Sequence, residues 1–398
     1  MARRLKTMSV PSGAQFFTDY RDMPLELAAR LESLAYRHGR YFDSYIVTEP
    51  NRQYFWSAGK DAVIGCTLVG RYMNIAGGMI CSPERRSDFA EELVEFARLN
   101  RLTLSFFMLD QDDAELLNAH GFQTTKFGEE ATVELRELSW SGKKMEWGRR
   151  QVNYVRRHNV EFEELDLADQ SSGSFETSLQ ELIDLESSHL ATKVQKGRIP
   201  FFEGSLIPGY LHRRRIFVGR RTMEGGGQRV EGFVVCNPFE NGHGWAIEMY
   251  RHRPDAVRGT IPFLFHQTIS QLKDEGAQYV SLSPVPALRC ETPLPDDSPL
   301  VRRILSFWYN HWNFVFDVPG IFHFKSRFRP RFSDVHVCVY PKATISSVLA
   351  YASCSNTFDI KYTALARVTL HRLRRRGKLS QATPVSDNSR PRSRTRDS

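Results

Sequence analysis

Glu248 and Arg251 stand three residues apart in the stretch IEMYRHRPDAVRGTIPFLF, Ile247–Phe265. By residue type alone they read as an ion pair at the end of a strand, the commonest use of such a pair. Lys325 lies in a second stretch, FHFKSRFRPRF, Phe322–Phe332. Glu129 and Glu130 are adjacent carboxylates. Neighbours on a strand face opposite ways, so they do not make an acid/base pair and read as architectural. His243, His252, His266, His311 and His323 show neither a Ser-His-Asp arrangement nor metal-ligand spacing, and none is given a role. The six cysteines are scattered singly without a C-x-x-C, which argues against zinc and a disulfide framework and for a reducing compartment. No metal or cofactor is expected.

The strongest charge signal is Gly142–His158. Lys143, Lys144, Arg149, Arg150, Arg156, Arg157 and His158 share it with Met145, Trp147, Val152 and Val155. That pattern is an amphipathic helix with a cationic face, suited equally to solvent and to nucleic-acid phosphates. Arg149 and Asn153 have a second reading as structural ties. The net charge of +8 favours anionic partners in general, nucleic acid or an acidic membrane surface.

These residues need elements to hold them. A length of 398 residues suggests two domains. In the first half, Tyr41–Val47, Asp61–Val69, Tyr72–Ile75, Leu102–Met108, Gln123–Phe127 and Thr132–Leu135 read as strands. Pro83 opens a helix with Phe89, Leu93, Phe96 and Ala97 at helical spacing, and Asp112–His120 is a short helix stopped by Gly121. In the second half, Phe175–Gln195, Gly259–Glu275 and Pro299–Trp312 read as helices. Ile216–Arg221, Val230–Asn237, His243–Met249, Tyr279–Ser283 and His336–Tyr340 read as strands. Two successive units of strands and a packing helix suggest duplication. The aromatic cluster Phe307, Trp308, Tyr309, Trp312, Phe314 and Phe316 reads as core that could also line a lipid slot.

Past Lys342 the fold signal weakens. Thr363–Arg376 reads as a basic amphipathic helix and Gln381–Ser398 as disordered. Arg367, Arg372, Arg374, Arg375, Arg376 and Lys378 suit an anionic lipid surface, each cation contributing on the order of 1 kcal/mol there. The basic start lacks an apolar run and is not a secretory signal, and no stretch is long enough to span a membrane. The expected division is a disordered start at 1–12, a domain at 13–140, a basic linker helix at 141–160, a catalytic domain at 161–345 and a tail at 346–398.

Three stretches resemble the catalytic domain of the phosphatidylglycerol lysyltransferases. FGEEATVEL (Phe127–Leu135), followed by Gly142, Lys143, Arg149 and Asn153, is similar to that family's GEEA strand and G-K-x-x-x-x-x-R-x-x-x-N helix. Ile247–Phe265 is similar to its acidic-x-x-R-x-x-P-x-A segment, and Phe322–Phe332 to its F-K-x-K-F-x-P-x-W segment. The three occur in order, and the likeness runs from about Gly13 to Lys342. It implies a mixed α/β fold of two tandem GNAT-like domains joined by the basic helix. It also implies transfer of an aminoacyl group from tRNA to a lipid hydroxyl, with aminoacyl-tRNA as co-substrate and a phosphatidylglycerol-like acceptor. A cytoplasmic location is implied, with peripheral contact at the inner face of the membrane.

The resemblance also implies roles. Glu248, where the family has Asp, would hold the substrate amino group or assist the hydroxyl. Arg251 would bind phosphate through its planar fork. Lys325 would contact substrate or the transition state, and Lys143, Lys144, Arg149, Arg150, Arg156 and Arg157 would meet tRNA phosphates. The next acid of the family's segment is Ser333 here, a departure that leaves the amino acid open. Asp334 follows, on the other face of a strand.

Two other readings remain. An acyl-CoA N-acyltransferase needs a Gly-rich turn at a helix N-terminus, and the corresponding Arg253–Thr260 keeps only Gly259. A non-catalytic RNA- or membrane-binding relative would keep the scaffold alone.

Overall fold

The computed structural model describes residues 8–194, 197–312, 317–357 and 359–361. The first half runs through β1 (Gln15–Phe17), α1 (Leu25–His38), β2 (Gln53–Trp56), β3 (Val63–Val69), β4 (Tyr72–Ile80), α2 (Arg86–Asn100), β5 (Thr103–Leu109), α3 (Gln111–Ala119) and β6 (Gln123–Glu134). Helix α4 (Glu146–Arg156) links it to the second half. There the order recurs as β7 (Val160–Glu164), α5 (Gly173–Ala191), β8 (Arg215–Thr222), β9 (Gln228–Phe239), β10 (Gly244–His252), α6 (Thr260–Asp274) and β11 (Tyr279–Pro286). Two helices, α7 (Pro299–His311) and α8 (Val318–Ser326), precede β12 (Arg331–Tyr340), and α9 (Ile345–Cys354) follows.

Among the described residues twelve strands form one sheet in the order β1-β2-β3-β4-β5-β12-β6-β11-β10-β9-β8-β7. Every neighbouring pair is antiparallel except β4·β5 and β10·β11. The order reads the same from either edge, so the two halves are related by a pseudo-twofold between β12 and β6. Each half has the GNAT-like plan of an antiparallel run ending in one parallel pair. The last strands are exchanged: β6 lies against β11, and β12 lies against β5. The divisions at 13–140 and 161–345 therefore follow the chain, while the sheet crosses them.

Burial explains the layering. All seven residues of β5, TLSFFML, are buried, as a strand covered on both faces requires. Phe89, Leu93, Phe96 and Ala97 of α2 pack on one side of the first half. Phe263, Leu264, Phe265, Ile269 and Leu272 of α6 cover the second, and Val152 and Val155 seat α4 on the same core.

Several expectations are corrected. Tyr41–Val47 is not a strand; it leaves the sheet and ends in the 3-10 turn Ser44–Thr48. Gln123–Phe127 and Thr132–Leu135 merge into one twelve-residue strand that ends at Glu134. Gly128 sits between them because a Cβ there would fall 2.3 Å from the Val285 carbonyl oxygen. The helix expected to reach Gln195 ends at Ala191. Residues assigned to the tail include α9, whose Thr344 and Ser347 form a capping box. The start 1–7, Phe314 and Phe316, and the tail segments Thr363–Arg376 and Gln381–Ser398 lie outside the described residues. No helix among the described residues is long and apolar enough to cross a membrane.

Candidate functional site

Parallel strands in this plan pair only at their start and then part. β10 pairs with β11 over Gly244–Ala246 alone, and β4 with β5 over Tyr72–Ile75 alone. In the first half the gap is filled. Tyr41 lies against Gly78, whose Cβ would fall 2.4 Å from the ring, and Asp43 accepts from the Gly77 N–H at 3.0 Å. In the second half the gap is open. Ser283, at φ 67°, donates to the Ile247 carbonyl at 2.8 Å and holds the strands at the fork. Beyond it is a cavity of about 480 Å³. Glu248, Tyr250 and Arg251 of β10, Ser283 and Pro284 of β11, and Lys325 of α8 line it, together with Phe42 and Met108 from the first half.

Glu248 is fully buried and its carboxylate is committed. One oxygen accepts from the Gly204 backbone N–H; the other takes Arg214 Nη2 at 2.5 Å and Asn237 Nδ2 at 2.9 Å. Arg214 also donates to Glu49 Oε1 at 2.9 Å and to Asn237 Oδ1 at 2.7 Å, while Ser205 N–H reaches Glu49 at 2.6 Å. Burial raises the pKa of Glu248, with Arg214 opposing. For Arg214 burial works against the charge, but the two carboxylates outweigh it and raise its pKa. Of the two roles expected for Glu248, holding a substrate amino group or assisting the hydroxyl, neither finds a carboxylate oxygen without a protein donor. What the carboxylate does here is pin the 204–205 segment to β10 over the cavity.

Arg251 donates through Nη2 to Glu203 at 2.8 Å and through Nη1 to the Tyr250 carbonyl at 3.1 Å, with Glu186 3.4 Å from Nε. Burial opposes its charge; Glu203 and Glu186 more than restore it. A guanidinium so held presents its remaining N–H groups in a fixed orientation. At the same wall His189 has its pKa pushed down to about 4, by burial first and by Lys193 second.

Lys325 is a buried amine. Its Nζ donates to the Ser283 carbonyl at 2.7 Å and the Pro284 carbonyl at 3.0 Å, at the bulge where β11 leaves register with β6. Burial pushes its pKa down to about 7, partly offset by the Glu130 carboxylate. Glu130 accepts from Ser281 Oγ at 2.6 Å and pairs in register with Ser333. Glu129 faces the other way with Lys126 and Arg289, and Asp334 also binds Lys126, at 2.7 Å. Asp334 therefore does not replace an acid beside Lys325.

The basic helix divides. Arg149 is structural, donating to the carbonyls of Trp140 and Gly142. Arg150 pairs with Glu146 at 2.6 Å on the surface. Lys143, Lys144, Arg156 and Arg157 are exposed. Arg367, Arg372, Arg374, Arg375, Arg376 and Lys378 lie outside the described residues.

Sequence reading missed Arg214, Glu49, Asn237, Glu203 and Glu186. The only signal was the run Arg213-Arg214-Arg215, which looks like surface charge until one member is found buried.

An acyl-CoA pyrophosphate would need free N–H groups at the start of α6. Val257 N–H is taken by Glu231 Oε2 at 2.9 Å, placing a buried carboxylate where a phosphate would go. A Cβ on Gly259 would fall 2.5 Å from Gln151 Oε1, so α4 already covers the turn. The cradle that chemistry requires is filled by the protein.

Comparison with known proteins shows the family. Residues 32–339 match the profile described as phosphatidylglycerol lysyltransferase, C-terminal. A phosphatidylglycerol lysyltransferase of Bacillus subtilis is 22% identical over 296 residues, 74% of this chain and 33% of the relative. The chain thus spans about a third of the length of the curated relatives it matches. Among solved structures, one described as a lysylphosphatidylglycerol synthetase C-terminal domain of Agrobacterium fabrum has TM-score 0.67 at 20% identity, covering 84% of this chain and 97% of that one. A structure of L-PGS from Bacillus licheniformis has TM-score 0.64 at 21% identity, with the same coverage.

Proposed function

This chain belongs to the phosphatidylglycerol lysyltransferase C-terminal family, and from that premise we propose that it transfers an aminoacyl group from tRNA to a lipid hydroxyl. One observation carries the reading. Arg251 and Lys325, from segments more than seventy residues apart, meet on the wall of one cavity at the open fork of the sheet.

The reaction exchanges one ester for another. The lipid hydroxyl oxygen bonds to the acyl carbon, the bond from that carbon to the terminal ribose oxygen breaks, and the proton passes from the lipid hydroxyl to the ribose oxygen. Such a step needs placement, a proton route and stabilisation of the oxyanion. Lys325, poised to titrate near neutrality, serves as the amine that takes and returns the proton. Arg251 binds a phosphate of the lipid head or of the tRNA end. Glu248, through Gly204 and Arg214, holds the cavity wall. Lys143, Lys144, Arg150, Arg156 and Arg157 bind tRNA phosphates, and Arg372, Arg374, Arg375 and Arg376 of the tail bring the protein to an anionic membrane surface.

The test is a transfer assay with this chain, charged tRNA and phosphatidylglycerol vesicles, with lipid products read by mass spectrometry. The expected result is an aminoacyl lipid with the natural chain and at least a roughly hundredfold loss in Lys325→Met, within the usual range for removing a proton-transfer group. No aminoacyl lipid from the natural chain refutes the reading.

A further inference from the structure

A second cavity, of about 230 Å³, lies where α7 and α9 cover β5, β12 and β6. Among the described residues no charged side chain lines it. Phe107, Val337 and Val339 of the strands form its floor, and Leu305 of α7 and Val348 of α9 stand in its walls. Two of its three aliphatic hydroxyls are engaged. Ser347 donates to the Thr344 carbonyl at 2.8 Å, and Thr357 Oγ1 lies 2.6 Å from Ser355 Oγ. A space this apolar offers water few partners and suits hydrocarbon.

Its mouth is apolar too. Ile304 and Phe307 of α7 line the cavity and are exposed. Ile345 and Leu349, on the adjoining face of α9, are more than half exposed. These are four of the nine exposed large apolar side chains among the described residues, and the other five stand on separate segments. Single exposed apolar residues are ordinary, whereas a group of them on two helices flanking a cavity marks a binding surface.

The cavity adjoins the one at the open fork. Phe107 and Tyr351 stack at 4.3 Å and line the second cavity, while Phe202 lines the first. Phe202 lies 6.3 Å from each of those rings, so one layer of rings parts the two spaces. The charge around the mouth suits an anionic surface. Neither α7 nor α9 contains Asp or Glu, and Arg303 of α7 and Lys342 before α9 are exposed. Thr357 lines the cavity. The sequence beyond Lys361 then carries Arg367, Arg372, Arg374, Arg375, Arg376 and Lys378, with no acid among residues 362–378.

We propose that this cavity holds one acyl chain of the acceptor, an anionic membrane lipid, and so keeps the lipid head beside the cavity at the fork. This rests on the aminoacyl-transfer reading and goes beyond it by giving the lipid's hydrocarbon a site of its own. The cations favour a lipid over a second copy of this chain, whose matching face would bring the same charges.

The test is photolabelling of the full chain with dioctanoylphosphatidylglycerol that carries a diazirine at the end of one acyl chain, with labelled peptides mapped by mass spectrometry. The expected result is label on α7 or α9. Unlabelled dioctanoylphosphatidylglycerol should displace it, and glycerophosphoglycerol, the head without the chains, should not at equal concentration. Ile304→Trp, at the mouth, should cut the label at least about tenfold, a loss of about 1.4 kcal/mol in binding, and Ile304→Leu should keep it. Label mainly elsewhere, equal displacement by glycerophosphoglycerol, or label unmoved by Ile304→Trp would overturn the inference. So would label that reaches these helices only after residues 362–398 are removed, since the tail would then be the occupant. The transfer assay separates the two ideas. Label on these helices without any aminoacyl lipid overturns the functional reading and leaves the acyl-chain site standing. Aminoacyl lipid with label elsewhere does the reverse.

Discussion

Replacing Lys325 by Met should make the protein more stable and inactive at once. The amine is buried, and its pKa is pushed from the ordinary 10.5 down to about 7. At about 1.4 kcal/mol per pH unit, that gap means the charged form costs roughly 5 kcal/mol at acidic pH. Losing the hydrogen bonds to the Ser283 and Pro284 carbonyls removes roughly 1 kcal/mol each. Met, of similar length, keeps the cavity wall filled, so the net gain at pH 6 is about 3 kcal/mol. The pH dependence fixes the sign. Between about 7 and 10.5 the unfolded chain holds the proton that the folded chain has released, so the natural protein gains stability as pH rises there. The advantage of Met should therefore shrink by about 1.4 kcal/mol per pH unit across that window and be largely gone by pH ~9. Urea unfolding of both forms at three pH values measures this. A Met form less stable at pH 6, or an advantage that does not change with pH, would refute the argument that Lys325 is a costly buried amine kept for chemistry.

Other perturbations test the neighbouring elements. Arg214→Met leaves Glu49 and Glu248 facing each other without their cation and should cost about 3–5 kcal/mol in thermal or urea unfolding, partly recovered when Glu248→Gln is added; additive losses would contradict the buried triad. Changing Lys143, Lys144, Arg156 and Arg157 together to Ser should weaken tRNA binding and flatten its salt dependence by a slope of about 3, since each phosphate contact contributes about 0.7–0.9. An unchanged slope would place the tRNA elsewhere. Acetyl-CoA should show no binding by calorimetry, because Glu231 and α4 occupy the turn before α6; micromolar affinity would reopen the acyltransferase reading.

The strands and helices of this fold were largely legible because their apolar spacing is strong, as in α2 and β5. What sequence reading misplaced was set by tertiary packing. Tyr41–Val47 has the β-branched and aromatic composition of a strand, yet it serves as the plug of a fork whose depth only the sheet defines. The motif residues Arg251 and Lys325 were found, and that they share one site came only from the resemblance, because nothing local brings β10 and α8 together. Glu248 shows the opposite error. Its position was right and its expected role was not, since the partners that consume it are a turn residue, Gly204, and one arginine in a run of three. Short-range pattern cannot tell which arginine of Arg213-Arg214-Arg215 turns inward, because that depends on two acids, one more than thirty and one more than one hundred and sixty positions away.

Among the described residues the fork of the second half is the one left open, and the exchange of strands explains how both halves line it. Each half ends its parallel pair in a fork, which is a hole in the sheet and must be filled by protein or by ligand. The first half fills its own fork with Tyr41, Asp43 and Ser44, bonded to the Gly77 backbone and packed against Gly78. Phe42, between Tyr41 and Asp43 in that plug, and Met108, near the end of β5, line the cavity of the other half. They can do so because β12 and β6 sit between the two parallel pairs and join them into a single sheet. A second half cut free would lose β6, the strand that pairs with both β11 and β12, and with it Glu130 beside Lys325. The first half is thus part of the site's wall and the support of its central strands. A filled fork, rigid and well packed, is what lets the other fork stay open at a cost the fold can bear.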